Sequence, residues 1–102
     1  MEYLFSYGTL QDPQVQEYIF GRILSGHDDS LSGFKKQERA VYGRYALVVR
    51  TKNEGDMVQG KAYEVTQHDL KKADIYETTA YKREPFQLGS GITAWVYLKN
   101  SE

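Results

Sequence analysis

The segment from Ile92 to Lys99 constrains this chain more than any other. Ile92, Ala94, Val96 and Leu98 alternate with Thr93, Trp95, Tyr97 and Lys99. Successive side chains of a strand point to opposite faces, so a β-strand puts the four apolar residues on one side. Gly89-Ser90-Gly91 before it reads as a tight hairpin connection, and Tyr81 to Leu88 as the partner strand. Pro85 cannot donate to a ladder, which places that partner at a sheet edge or a bulge.

The rest of the pattern adds more strands and two short helices. Tyr3-Leu4-Phe5-Ser6-Tyr7 is a compact apolar run that suits a central strand, and Gly8-Thr9 breaks it. Asp12-Pro13 is a helix start, with Asp as cap and Pro at the first helical position. Val15, Tyr18, Ile19 and Ile23 follow with helical spacing, and Gly21 weakens the last turn. His27-Asp28-Asp29-Ser30 reads as a polar connection. Strands are expected over Leu31 to Glu38, Ala46 to Arg50 and Val58 to Val65, with an irregular Tyr42 to Tyr45 containing a turn at Gly43. Asn53 to Asp56 is a turn cluster, and Gly60 marks a bulge or a close backbone approach. Thr66 and Asp69 have capping-box spacing and open a helix that runs to about Glu77. The order β-α-β-β-β-α-β-β is not a regular βαβ repeat. It predicts an α+β fold, a small mixed β-barrel or strongly curled sheet of five to six strands with two short helices. One domain is expected over residues 1–102, with fraying final residues.

Composition removes several kinds of function. The chain has no cysteine, so disulfides, thiolate metal sites and a cysteine nucleophile are excluded. Its 13 basic and 14 acidic residues give a net charge of −1, without the basic excess that phosphate neutralisation favours. Met1 to Leu10 lacks the basic and apolar regions of a signal peptide, and no apolar run approaches the roughly 20 residues of a membrane span. These features lead us to expect a cytoplasmic protein with no nucleic-acid or membrane partner. A monomer is expected, although nothing in the sequence fixes the oligomeric state. Nine Tyr, four Phe and one Trp fit a strand-rich domain with aromatic packing, or a pocket with a polar rim.

Two segments could carry chemistry. Tyr7-Gly8-Thr9-Leu10 leaves a strand and enters a helix, where consecutive backbone N–H groups can face an anion. Such a glycine is also commonly just a turn. On the second helix, Leu70, Ala73 and Glu77 share one face, which puts a carboxylate at the core-side end. Burial there would raise its proton affinity toward what a general acid–base needs. On spacing alone, an ion pair with Lys71, Lys72, Lys82 or Arg83 is the better account of such a carboxylate. Tyr81 and Arg83 share a face of their strand, where they could line a pocket or hold Asp74 or Glu77. His27-Asp28-Asp29 has metal-ligand residue types but no scaffold to hold them in a ligand geometry, so no metal is expected. Ser6 has no adjacent base, and Asp74 and Glu77 on one helical face do not flank a substrate as a glycosidase pair would.

Taken in order, Tyr7-Gly8-Thr9-Leu10, Val58-Gln59-Gly60-Lys61-Ala62-Tyr63-Glu64-Val65 and Asp74-Ile75-Tyr76-Glu77 with Tyr81-Lys82-Arg83 resemble the γ-glutamylcyclotransferase-like family. That family includes AIG2-like proteins and γ-glutamylamine cyclotransferases. The resemblance implies a small mixed β-barrel and conversion of a small-molecule γ-glutamyl amide to 5-oxoproline and a free amine. It implies Glu77 as the acid–base residue, Tyr7, Gly8, Thr9 and Leu10 as the substrate-binding loop, and no metal or cofactor. Ala73-Asp74 replaces the family's frequent Leu-Asp, and Tyr45-Ala46 its frequent Tyr-Pro. Alternatives of other classes are a non-catalytic small-ligand or interaction domain with the same pocket, and an oligonucleotide-binding barrel using tyrosine stacking.

Overall fold

The first strand, β1 (Glu2–Ser6), lies in the middle of a five-stranded sheet, as its two-sided apolar pattern requires. The structure, a computed structural model, describes the backbone of residues 1–41 and 45–100, and side chains outside residues 39–46. The expected turn at Gly43 lies outside the described residues. After β1 come a short 3-10 turn (Thr9–Gln11) and α1 (Pro13–Phe20). The strands β2 (Gly26–Ser32), β3 (Phe34–Val41), β4 (Tyr45–Arg50) and β5 (Met57–Val65) follow. The chain continues through α2 (Gln67–Glu77), a second 3-10 turn (Thr78–Ala80), β6 (Tyr81–Gln87) and β7 (Thr93–Lys99).

The sheet order is β2-β5-β1-β7-β6, and β3 and β4 form a separate two-stranded ribbon. Among the described strands only β1 and β7 run parallel, with Leu4 opposite Trp95 and Phe5 opposite Val96. Alternation divides the core into two layers. Phe5, Val58, Ala62, Ala94, Val96 and Leu98 pack with Phe34 and Val48 of the ribbon. Leu4, Tyr63, Val65 and Tyr97 pack on the other face with Phe20, Leu70 and Ala73 of the helices. Among the described residues the fold is therefore mixed α+β with two helices, and the ladder does not close into a barrel. Among the described strands, β2 pairs only with β5 and β6 only with β7. Pro85 lies on that outer strand β6, opposite Trp95, where its missing N–H is tolerated. The two sheet edges still meet at one end, where Gly89 N–H donates to Ser30 O at 2.9 Å.

Three local expectations are corrected. His27 to Ser30 is not a connection but part of β2, paired with β5 from Gly26–Tyr63 to Ser32–Met57. Low strand propensity is overridden by that ladder, by buried Leu31 and by an inward Asp29 that is fully hydrogen-bonded. The predicted strand from Leu31 to Glu38 is two strands, because Gly33 turns the chain at φ 80. That raises the count of described strands to seven. On α1, Tyr18 is 86% exposed and Ile23 lies beyond the helix end, while Gln16 and Phe20 are buried. Gln16 tolerates burial because its amide donates to Leu10 O at 2.8 Å and accepts from Leu24 N–H at 2.9 Å.

The close approach expected at Gly60 is present. A Cβ there would strike the carbonyl oxygen of Ser6 and the Phe5 ring on the neighbouring strand. The helix starts also form as their sequences predict. Asp12 Oδ1 accepts from Gln14 N–H at 2.8 Å. Thr66 and Asp69 complete a reciprocal capping box, and Asp69 also takes two hydrogen bonds from Arg22.

Candidate active site

The packing of α2 is fixed by Leu70 and Ala73, at 2% and 0% exposure, and this carries Glu77 to the half-buried end of the same face. No hydrogen bond or ion pair reaches Glu77 among the described residues. Arg83 is taken by Asp74 and Lys82 by Glu84, and neither Lys71 nor Lys72 makes an ion pair among the described residues. The salt-bridge reading of Glu77 therefore finds no partner there. Burial without compensation pushes its carboxyl from 4.5 up to about 7.

Tyr7 and Tyr97 bring two phenols within electrostatic reach of Glu77. Tyr7, just past β1, is buried and donates through its hydroxyl to Tyr97 O at 2.6 Å. Burial raises its phenol first, then the nearby Tyr81 and Glu77. Tyr97 of β7 is raised first by burial, then by Asp74 and Glu77. Both phenols therefore stay protonated donors at neutral pH, in the electrostatic reach of the Glu77 carboxyl. Tyr97 Oη donates to Asp74 Oδ1 at 2.7 Å, and Arg83 grips the same carboxylate through Nε at 2.8 Å and a second nitrogen at 3.1 Å. The Asp74 carboxyl is lowered on balance by Arg83 and Tyr97, although burial opposes them as the largest single influence.

The loop from Tyr7 to Leu10 reaches this end of α2 through two contacts. Leu10 is buried in the helix-side core beside Leu70 and Ala73, and Tyr76 Oη donates to Thr9 Oγ1 at 3.3 Å. Gly8 and Thr9 are exposed. The 3-10 turn uses the N–H groups of Gln11 and Asp12, bonded to Gly8 O and Thr9 O at 3.0 Å each. Those of Thr9 and Leu10 have no protein acceptor among the described residues. Gln16 and Gln11 hold the loop from behind, donating to Leu10 O and Ser6 O.

Structure thus brings Glu77 near Tyr7, and α2 into contact with Thr9 and Leu10. An open depression of about 650 Å³ flanks Asp74, Thr78, Tyr81, Arg83 and Tyr97, but neither Glu77 nor Tyr7 to Leu10 lines it. Arg83, ambiguous in sequence, belongs to Asp74. Tyr97, within electrostatic reach of Glu77, is not among the candidates that the sequence pointed to. Its place opposite the apolar face of β7 was readable, but alternation alone did not show that α2 would cover that second face. Among the described residues, no group of three or more His, Asp or Glu is placed to hold a metal ion. No helix among them is long and apolar enough to cross a membrane.

Known structures share this fold. An Arabidopsis thaliana protein solved in solution superposes with a TM-score of 0.82 at 23% identity, covering 99% of this chain and 71% of its own. A structure titled gamma-glutamyl cyclotransferase gives 0.75 at 18%, covering 96% and 66%. An AIG2-like protein of Mus musculus gives 0.72 at 20%, covering 100% and 79%. At these identities the likeness establishes the fold. No curated protein matches the sequence. The family model described as gamma-glutamyl cyclotransferase, AIG2-like, matches residues 4–102, and the chain therefore belongs to that family.

Proposed function

We propose that residues 1–102 act as one γ-glutamyl cyclotransferase domain, with Glu77 as general acid–base. The observation that carries this reading is a half-buried carboxyl with no partner among the described residues, raised to about 7 by desolvation. Near neutral pH such a group is present in both protonation states, as a proton shuttle requires.

The reaction needs no enzyme nucleophile, because a γ-glutamyl amide carries its own. Glu77 takes a proton from the α-ammonium, and the freed amine attacks the γ-carbonyl to close a five-membered ring. Glu77 gives its proton to the leaving nitrogen as the bond from that nitrogen to the γ-carbon breaks, and then takes the second proton that the ring nitrogen sheds, which departs with the amine as its ammonium. Products are 5-oxoproline and a free amine or amino acid. Holding the substrate folded removes much of the entropic barrier. The N–H groups of Thr9 and Leu10 are the proposed donors to the γ-carbonyl oxygen as it gains charge. Tyr7 is the proposed wall of the glutamyl site. No step calls for a metal or cofactor.

The test is incubation with a panel of γ-glutamyl amino acids and amines, following 5-oxoproline by mass spectrometry. Release by the wild type and its loss in a folded Glu77→Gln variant are expected. Undiminished release by Glu77→Gln would remove Glu77 from this role. Saturable binding across the panel without any turnover would favour the non-catalytic ligand-binding reading.

A further inference from the structure

His27-Asp28-Asp29 and Gly89-Ser90-Gly91, which the proposed reaction leaves unused, meet at one end of the sheet. Asp29 lies on β2 with its side chain 2% exposed, and its carboxylate joins the two segments. Oδ1 accepts from Ser30 N–H at 2.9 Å and from Ser90 N–H at 3.0 Å. Oδ2 accepts from Ser90 Oγ at 2.5 Å and from His27 Nε2 at 2.8 Å, so that ring nitrogen carries a proton. Beside them Gly89 N–H donates to Ser30 O. A Cβ at residue 89 would strike the Ser30 hydroxyl, so the two chains touch closely here.

The hairpin tip from Leu88 to Gly91 is a closed unit. Leu88 N–H donates to Ile92 O at 2.8 Å, Gly91 N–H donates to Leu88 O at 2.9 Å, and Gly91 turns the chain at φ 99. Leu88 is buried in the ribbon-side core with Leu31 of β2. Among the described strands no ladder joins β2 to β6 or β7. The two sheet edges are therefore fastened by side-chain chemistry at Asp29 and one backbone bond, where a barrel would have a strand pair.

Four donors around a buried carboxylate favour its charged form. Burial is the largest single influence on Asp29 and pushes its carboxyl up, but the hydrogen bonds from Ser90, Ser30 and His27 outweigh it and hold the group below 3.8. His27 is its titratable neighbour on β2, Gly60 lies directly across on β5, and the hairpin presents Ser90. Asp28 points to the opposite face and reaches Lys61. A proton on Asp29 removes the charge that strengthens all four bonds and sets a donor against Ser90 and His27. The fastening is complete above 3.8 and is lost as pH falls through the folded value.

We propose that the hairpin tip is a latch on β2, fastened by Asp29, that opens in acid as a unit while the five-stranded sheet stays paired. Opening uncovers Leu88 and the Ser30 carbonyl on the outer edge of β2. The latch is independent of Glu77 and of the reaction proposed above.

Amide hydrogen exchange followed by nitrogen-15 NMR tests this, each rate being referred to the intrinsic rate at its pH. In the wild type, protection at Gly89 and Ser90 is expected to fall about 10- to 100-fold below pH 3.8, the loss that hydrogen bonds to a charged group imply. Leu4 and Phe5 on central β1 should change less than about twofold over the same range. Asp29→Asn should show the opened rates at every pH. Ser90→Ala should move the acid midpoint up toward 3.8, and His27→Gln, which keeps a donor, should retain the transition. The wild-type series needs no variant, so a failure of Asp29→Asn to fold leaves the test intact. Exchange at Gly89 and Ser90 that rises only together with Leu4 and Phe5 would mean unfolding, not a latch. Unchanged protection in folded Asp29→Asn, or an acid transition that disappears in His27→Gln, would overturn the role of Asp29.

Discussion

If Glu77 sits desolvated and unpaired, its charge costs stability, and removing the charge must return that stability in a pH-dependent way. The sign follows from the raised carboxyl. Below 4.5 Glu77 is neutral whether the chain is folded or not, and there is no penalty. As pH rises through about 7 the unfolded chain has already released the proton, and the native state must release it into a poorly solvated site. Stability contributed by the neutral carboxyl is therefore present in acid and lost across that window. A rise of 2.5 units, from 4.5 to about 7, corresponds to about 3 kcal/mol at about 1.36 kcal/mol per unit. For a domain of this size that is roughly 14 °C in melting temperature. Glu77→Gln keeps the shape and cannot titrate. Urea and thermal unfolding of both proteins between pH 4.5 and 8.5 should give curves that separate as pH rises, the variant becoming the more stable by up to about 3 kcal/mol. Any fixed effect of the amide shifts the whole difference without tilting it, and every other titrating group cancels. A difference that stays level within about 0.5 kcal/mol would show that Glu77 is solvated or paired, and the acid–base argument would lose its basis.

Three further outcomes follow from other parts of the fold. Asp69→Asn should cost about 2 kcal/mol near pH 7 by weakening both the capping box and the Arg22 pair. Arg22 holds the Asp69 carboxyl well below the usual range, so the wild type loses this stability as pH falls below 3.8 and the two acid-unfolding curves should converge there. Gly60→Ala should destabilise by about 2–3 kcal/mol or prevent folding, read by urea titration, because its methyl would meet the Ser6 carbonyl on β1, where no flexible side chain can yield. Thr78, just after Glu77, has φ 63 and ψ −170, a region almost reserved for glycine. Thr78→Gly should raise stability by about 1 kcal/mol once the greater freedom of the unfolded chain is deducted, and an unchanged or lower melting temperature would contradict that strain.

Local signals in the sequence were enough for the elements whose causes are local. The strict alternation of Ile92 to Lys99, the Asp12-Pro13 and Thr66–Asp69 caps and the outer place of Pro85 each act within a few residues, and each stands in the structure as the pattern required. The position of Glu77 on the face of Leu70 and Ala73 was readable for the same reason, since helical periodicity is a property of the backbone. Tertiary structure decided what depends on residues far apart in the chain. β2 forms from His27, Asp28, Asp29 and Ser30 only because β5, some thirty residues later, supplies its ladder and Ser90 satisfies Asp29. Gln16 enters the core because Leu10 and Leu24 meet its amide. Arg83 could have met Asp74 or Glu77. In the structure it pairs with Asp74 and stacks over the Trp95 ring. That long-range choice leaves Glu77 without a partner among the described residues. Spacing could place the carboxylate at the core-side end of its helix, but its isolation is a property of packing.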